Sequence, residues 1–335
     1  MPDFSLTLTE ASKTYRAQSR TDKGAVKALL PISLHVTDES PRVIAVAGES
    51  GSGKTTLASL ILGFQQPTSG NVEFNGVQLA KLSKKQKSEF RRTVQPVLQD
   101  PFASYNQFYK IDHVLRMPLI KYGIAENPNH ADALIRKTLS DVGLVPEQTL
   151  GRYPTQLSGG QRQRIMLARL LLCKPRLIVA DEPVSMIDSS YRAIILNLLM
   201  KLKDQYGISI IYITHDVATA YQISDEIIVL YRGRVAEAGQ TRKVIESPKH
   251  PYTESLISSV PMPDRIHSWD SELASVTHNL ANETGCEYTA ICQHAVAQCK
   301  VVEPKIRAVA GNHFVACRLY DDLPEAQLFD VLKAN

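Results

Sequence analysis

The chain has 335 residues, 44% of them apolar and 21% charged. That balance excludes wholesale disorder and leaves room for about two domains. Lysine and arginine total 38 against 34 acidic residues, a net charge of +4, which disfavours a protein that holds nucleic acid by bulk charge.

The start, Met1-Pro2-Asp3-Phe4, has neither the basic nor the apolar segment of a secretory signal. The longest apolar stretches, such as residues 57–64, are far short of the ~20 residues that cross a bilayer. A soluble cytoplasmic chain is expected, one able to rest on a membrane protein. The run at 43–47 is apolar throughout and ends in glycine, which predicts a buried strand. Gly48-Glu49-Ser50-Gly51-Ser52-Gly53-Lys54-Thr55 follows and fits G-x-x-x-x-G-K-[ST]. Helical spacing then begins at Thr55 and runs to residue 64. A strand, a glycine-rich turn and a helix are the context this motif requires. Its backbone N–H groups curl around phosphate oxygens, and the helix N-terminus adds partial positive charge. Lys54 is the candidate partner of the β- and γ-phosphates, and Thr55 the candidate hydroxyl ligand of Mg²⁺.

Residues 81–87 form a basic run on a polar segment, read as a solvated face. Residues 102–150 carry few strand signals and read as mostly helical. A helix is predicted over 158–173, with Ser158 as its N-cap. Cys173 at its end, beside Leu170, Leu171 and Leu172, is read as a small core hydrophobe. Buried strands follow at 177–180, 208–214 and 226–230, and Arg232-Gly233 turns the chain into 234–237. Strands alternating with helices predict an α/β domain with a mainly parallel sheet. Asp181-Glu182 and His215-Asp216 each close one of these strands. Carboxylates there face the ligand crevice of an open α/β sheet. Asp181 is the candidate Mg²⁺ ligand, and Glu182 the candidate base for a water attacking the γ-phosphate.

Leu157-Ser158-Gly159-Gly160-Gln161 adds a second Gly-Gly helix start. One phosphate cannot occupy both loops of a compact chain. A head-to-tail pair solves this, each signature helix covering the nucleotide of the other subunit. After residue 248 the texture changes. A boundary is placed near 247, giving units at 1–247 and 248–335, with a polar stretch at 268–285. Cys286, Cys292, Cys299 and Cys317 crowd the tail, with five, six and seventeen residues between them. A cytosolic setting favours metal over disulfides. The spacing leaves zinc, an iron–sulfur cluster and free thiols open.

From about residue 4 to 240 these motifs, in this order, resemble the ABC ATPases. The resemblance implies a P-loop fold: a RecA-like parallel sheet core, an antiparallel β edge and a helical subdomain at about 100–172. It implies adenine stacking on Tyr15, and nucleotide contacts from Gly48, Ser50, Gly51, Gly53, Lys54, Thr55 and Thr56. It makes Thr55, Gln99 and Asp181 the Mg²⁺ set and Glu182 the catalytic glutamate. His215 becomes the switch histidine, Asp188 the D-loop residue, and Ser158, Gly160 and Gln161 the signature contacts. Gln99 also links nucleotide to transport subunit. The tail, His250-Pro251-Tyr252-Thr253 and then Leu256 and Val260-Pro261, resembles the ATPases of peptide-type importers. Oligopeptide, dipeptide and nickel systems belong to that group. In relatives this extension carries a [4Fe–4S] cluster, so Cys286, Cys292, Cys299 and Cys317 are expected to hold one, with Zn²⁺ as the alternative. The resemblance further implies two membrane-spanning permeases, a second and paralogous ABC ATPase, and indirectly an extracytoplasmic solute-binding protein. It implies no nucleic acid, and a place on the cytoplasmic face of the inner membrane. The rival reading is an ABC ATPase of a soluble non-transport machine, such as a carbon–phosphorus lyase-type complex. Departures from the family pattern fall at Asp38-Glu39-Ser40-Pro41-Arg42, in Ser185-Met186-Ile187-Asp188 and after Gln99.

Overall fold

The computed structural model describes residues 4–16, 25–97, 99, 105–185, 189–258 and 284–326. Several expectations lie outside these residues: Asp188 with Met186 and Ile187, the residues on either side of Gln99, Val260-Pro261, and the polar stretch up to 283.

Strands β1 (Ser5–Arg16) and β2 (Ala25–Thr37) open the chain as an antiparallel pair. Strand β3 (Val43–Ala47) runs into helix α1 (Lys54–Ile61), and β4 (Ser69–Phe74) and β5 (Val77–Gln78) extend the first pair. Together they form a four-stranded sheet in the order β2-β1-β4-β5. Helix α1 stops before the predicted residue 64, because Leu62 caps it and Gly63 turns the backbone to φ +66°. Helix α2 (Lys84–Thr93) starts on a capping box between Ser83 and Gln86 and exposes its lysines.

Next come β6 (Val94–Val97) and a helical block of α3 (Ile111–Lys121), α4 (Pro128–Asp141), α5 (Pro146–Thr149) and α6 (Gly159–Leu172). Then follow β7 (Leu177–Asp181), α7 (Ser189–Tyr206), β8 (Ser209–Thr214), α8 (Val217–Ile223), β9 (Glu226–Tyr231) and β10 (Arg234–Gln240). Two short helices, α9 (Thr241–Glu246) and α10 (Pro251–Ser258), precede β11 (Arg307–Ala308) and β12 (His313–Val315).

The main sheet has the order β11-β12-β10-β9-β3-β8-β7-β6. Its five strands from β9 to β6 are parallel, and both faces are covered. In β3, Val43, Ala45 and Ala47 enter the core shared with the helical block and α7, while Ile44 and Val46 enter the core shared with the four-stranded sheet and α1. Residues Ile210 and Tyr212 split from Ile211 and Ile213 in the same way, as do Ile178 and Ala180 from Leu177 and Val179. Alternate residues of a strand face opposite ways, so a run buried on both sides must be apolar throughout. Each such Leu, Ile or Val contributes roughly 1.5–3 kcal/mol of burial.

Cys173 is 3% exposed, and burial pushes its thiol up to about 11. It is an inert core thiol. Beyond residue 248 the chain adds α10 beside the sheet and, through β12 on β10, two strands to its edge. Among the described residues, no helix is long and apolar enough to cross a membrane.

Candidate functional site

Parallel strands all present their C-terminal ends at one edge, and the topology decides which residues meet there. Strand β8 lies between β3 and β7, with Ala47 opposite Thr214 and Asp181 opposite Ile213. The loop after β3, His215 after β8, and Asp181-Glu182 at the end of β7 therefore lie side by side. Strand β6 pairs with β7 up to Val97 and Ala180, which brings Gln99 to the same edge.

The loop 48–54 is wedged rather than free. The Gly233 N–H donates to the Ser52 carbonyl at 2.8 Å, and the Leu30 N–H donates to the Gly233 carbonyl at 2.8 Å. At Gly53, φ is +103°, and a Cβ would stand 2.6 Å from the Ala28 carbonyl oxygen and 3.3 Å from Gly233 Cα. Only glycine fits there. Gly51, at φ +81°, has open space on its Cβ side, where a bound group can approach the backbone. Ser50 and Gly51 are exposed, and Thr56 sits in the first turn of α1.

Lys54 is buried and its Nζ donates to the carbonyls of Gly48 and Glu49, both at 2.7 Å. Burial lowers its pKa, opposed by the charges of Glu182, Asp181 and Glu49. The Asp181 pKa is raised, first by burial and then by Glu182, against a hydrogen bond from Thr55 and the charge of Lys54. Two carboxylates and one buried lysine leave this site short of positive charge. Thr55 and Asp181, already hydrogen-bonded, offer hard oxygen donors that suit Mg²⁺.

Glu182 is held on both sides. Its Oε1 lies 3.0 Å from His215 Nδ1, and its Oε2 accepts from Gln99 Nε2 at 3.2 Å. Its backbone takes φ +47°, and its N–H donates to the Ile213 carbonyl at 2.9 Å. That strained turn aims the side chain at β8. The arrangement brings Lys54, Thr55, Gln99, Asp181, Glu182 and His215 together. This donor set suits a phosphate chain with a divalent cation, beside a carboxylate that Gln99 and His215 fix in place.

Tyr15 lies apart, 38% exposed near the end of β1, with Lys13 Nζ 5.3 Å from its ring centroid. Ser158, Gly160 and Gln161 also lie outside this cluster, at the N-terminus of α6. Ser158 Oγ accepts from the Gln161 N–H at 3.3 Å, and Gln161 Oε1 accepts from the Ser158 N–H at 2.9 Å. A Cβ on Gly160 would meet the Tyr191 ring at 3.1 Å.

The contacts of two residues, Ser185 and Tyr252, escaped sequence reasoning. Ser185 Oγ accepts from Gln99 Nε2 at 3.4 Å and donates to the Glu182 carbonyl at 3.0 Å. The hydroxyl of Tyr252 accepts from the Glu49 N–H at 3.0 Å. Only the His-Pro-Tyr string hinted at the second, and no spacing rule links it to the loop.

The four tail cysteines line one cavity of about 190 Å³, together with His250 and Tyr288. The sequence led us to expect a bound metal group. Yet among the described residues no three His, Cys, Asp or Glu side chains are grouped to hold a metal ion. The thiols are spread around the cavity wall instead. The N–H groups of Tyr288, His294 and Leu319 point at the sulfurs of Cys286, Cys292 and Cys317, each two residues back. Burial, then for the most part the charge of the other cysteines, raises these three thiols, Cys317 to about 11. Three of these sulfurs accept a backbone N–H, and all four border one void, a set of soft sulfur donors.

Residues 31–185 match the family described as ABC transporter, and residues 236–299 match the oligopeptide/dipeptide transporter C-terminal region. The di/tripeptide transport ATP-binding protein DppF of Pseudomonas aeruginosa is 36% identical over 316 residues, covering 93% of this chain and 96% of that protein. The oligopeptide transport ATP-binding protein OppF of Haemophilus influenzae is 37% identical over 278 residues, 82% of this chain and 83% of its own length. A Brucella ovis protein provisionally named for peptide import is 36% identical over 308 residues, 91% and 95% of the two chains. Among solved structures, the ATP-binding cassette MJ0796, in a dimeric post-hydrolysis state bound to ADP and Pi, superposes with a TM-score of 0.61. It is 28% identical and covers 71% of this chain and 99% of its own.

Proposed function

The chain belongs to the ABC transporter ATP-binding subunits of the oligopeptide/dipeptide importer family, and from that premise we propose that it binds and hydrolyses ATP to drive peptide uptake through a membrane importer. The observation that carries the reading is the convergence of the phosphate loop, Asp181, Glu182 and His215 at one sheet edge, in a chain whose tail matches the peptide-importer C-terminal region.

In this account residues 1–247 form the ATPase unit and 248–335 the extension. Lys54 and the loop amides neutralise the phosphates, and Thr55, Gln99 and Asp181 would hold Mg²⁺, which would supply further positive charge there. Glu182 orients and deprotonates the attacking water, and His215 fixes the carboxylate from the far side. Positioning and electrostatics do most of the work. Tyr15 stacks on the base. Ser158, Gly160 and Gln161 cover the nucleotide of a second ATPase, a paralogue, and two permeases move with the closing pair. A solute-binding protein delivers cargo on the outer side, and the chain sits on the cytoplasmic face of the inner membrane.

The exposed Phe108 and Tyr109, at 89% and 51% exposure, follow Gln99 in the chain and support a contact surface there. Cys286, Cys292, Cys299 and Cys317 hold a [4Fe–4S] cluster. Iron and acid-labile sulfide in an anaerobic preparation, lost in Cys292→Ser, would support that assignment, and stoichiometric zinc without iron would reject it. A mild-detergent pull-down of the tagged chain, with partners identified by mass spectrometry, tests the whole. Two multi-spanning permeases and a second ABC ATPase support the importer, whereas soluble partners alone would move the reading to the non-transport machine.

A further inference from the structure

We infer that Tyr252 is a positioning residue for the phosphate loop, and that through it nucleotide binding and the packing of the four-thiol tail are energetically coupled. The inference rests on the nucleotide-site reading above.

The string His250-Pro251-Tyr252 has a physical reason at each position. The buried Glu237 carboxylate on β10, 0% exposed, accepts the N–H groups of Lys249 and His250 at 2.9 and 2.8 Å. His313 Nε2, on the tail's β12, contacts the same carboxylate at 2.6 Å. His250 Nδ1 then accepts the Tyr252 N–H at 3.0 Å. Pro251 opens α10, where no N–H is needed. From this anchored turn the Tyr252 side chain enters the core. It is 1% exposed, and its hydroxyl ends on the Glu49 N–H at 3.0 Å. Glu49 is also the residue whose carbonyl accepts from Lys54 Nζ at 2.7 Å. The tail therefore grips the loop at the peptide units that hold the phosphate-binding lysine.

The Tyr252 ring packs against two further tyrosines, one of which lines the cysteine cavity. Its centroid lies 4.4 Å from that of Tyr231 and 5.6 Å from that of Tyr288, and Tyr231 and Tyr288 stand edge-on at 5.3 Å. Tyr288 lies between Cys286 and Cys292, and its carbonyl accepts the Cys292 N–H at 3.1 Å. Cys286 and Cys292 both pack on the core that contains Tyr252 and Tyr288. Close-packed rings transmit a displacement rather than absorb it. A change in the cysteine cavity that shifts Tyr288 moves Tyr252, and so the Glu49 peptide. Linkage requires the reverse as well: nucleotide that fixes the loop must stabilise the tail by the same free energy.

The test uses the full chain and a non-hydrolysable ATP analogue with Mg²⁺. Tyr252→Phe removes the hydroxyl and keeps the ring. Loss of one such hydrogen bond predicts about five-fold weaker analogue binding. Tyr288→Phe, which keeps the ring stack and has no hydroxyl at the loop, should bind within about two-fold of the parent. Hydrogen exchange supplies the second readout. The analogue should slow exchange of amides in 284–326 of the parent, and this protection should shrink in Tyr252→Phe. Unchanged affinity in Tyr252→Phe overturns the positioning role. No analogue-dependent protection of the tail in the parent overturns the coupling and needs no variant at all. Lys54→Ala separates the premise from the inference. If it binds the analogue as the parent does, the nucleotide-site reading itself is wrong.

Discussion

Replacing Glu182 by glutamine removes one negative charge and little else. The side chain keeps its length, so its oxygen can still accept from Gln99 Nε2, now 3.2 Å away, and it can still meet His215 Nδ1, now 3.0 Å away. The Glu182 side chain is 21% exposed, so the fold should lose less than about 1 kcal/mol. Ground-state binding should survive or tighten. Glu182 is one of the causes that raise the Asp181 pKa, and its neutralisation lets Asp181 carry its charge more readily beside Mg²⁺. Turnover is different. A positioned general base is worth about 10²–10⁴ in rate, or roughly 2.7–5.4 kcal/mol of barrier. Phosphate release at saturating Mg·ATP should fall by that factor while equilibrium ATP binding holds. Turnover within about ten-fold of the parent, with binding intact, would refute the assignment of Glu182 as base. An equal loss in binding would make it a ground-state contact.

Tyr15→Ala removes an exposed aromatic face and should weaken ATP binding about five-fold, measured by equilibrium titration, with little change in turnover at saturation. Ser158→Ala deletes one half of the capping box on α6. It should cost about 1 kcal/mol, a fall of about 2 °C or more in Tm, and should also slow hydrolysis if Ser158 covers nucleotide across the dimer. His250 supplies a pH prediction. Burial lowers its pKa from the usual 6.5 to about 4, against the charge of Glu237. Between those values the detached tail binds a proton that the docked tail does not. Docking is therefore fully stable above pH 6.5 and weakens as pH falls, by about 1.4 kcal/mol per unit. Protonated Nδ1 would also lose the Tyr252 N–H. Hydrogen exchange in 284–326 should accelerate between pH 7 and pH 5 beyond its intrinsic pH dependence, and no such acceleration would contradict the burial argument.

Motifs with a mechanism were legible. The phosphate loop, Asp181-Glu182 and His215 could be assigned to strand ends because runs buried on both faces are apolar throughout, and that same property fixed β3, β7, β8 and β9. Strand β6 went unread because Gln95 and Pro96 interrupt it; at the sheet edge a proline gives up one ladder bond at little cost. β11 and β12 were too short to carry a pattern, with two and three residues. Tyr252 could be recognised only as a family mark, because its contact with Glu49 spans 203 positions and no local rule reaches so far. The cysteine spacing left zinc, an iron–sulfur cluster and free thiols open, because it does not give the distances between the sulfurs. Those depend on turns such as the Cys286 N–H donating to the Cys299 carbonyl at 2.7 Å.

ATP hydrolysis at this site is proposed to drive peptide across a membrane. The direct measurement is uptake of labelled peptide by proteoliposomes carrying the captured complex, with Mg·ATP on this chain's side and the solute-binding protein on the other. The expected result is ATP-dependent accumulation that disappears when this chain carries Glu182→Gln. Accumulation that persists in that variant, or ATP turnover with no peptide movement, would contradict it.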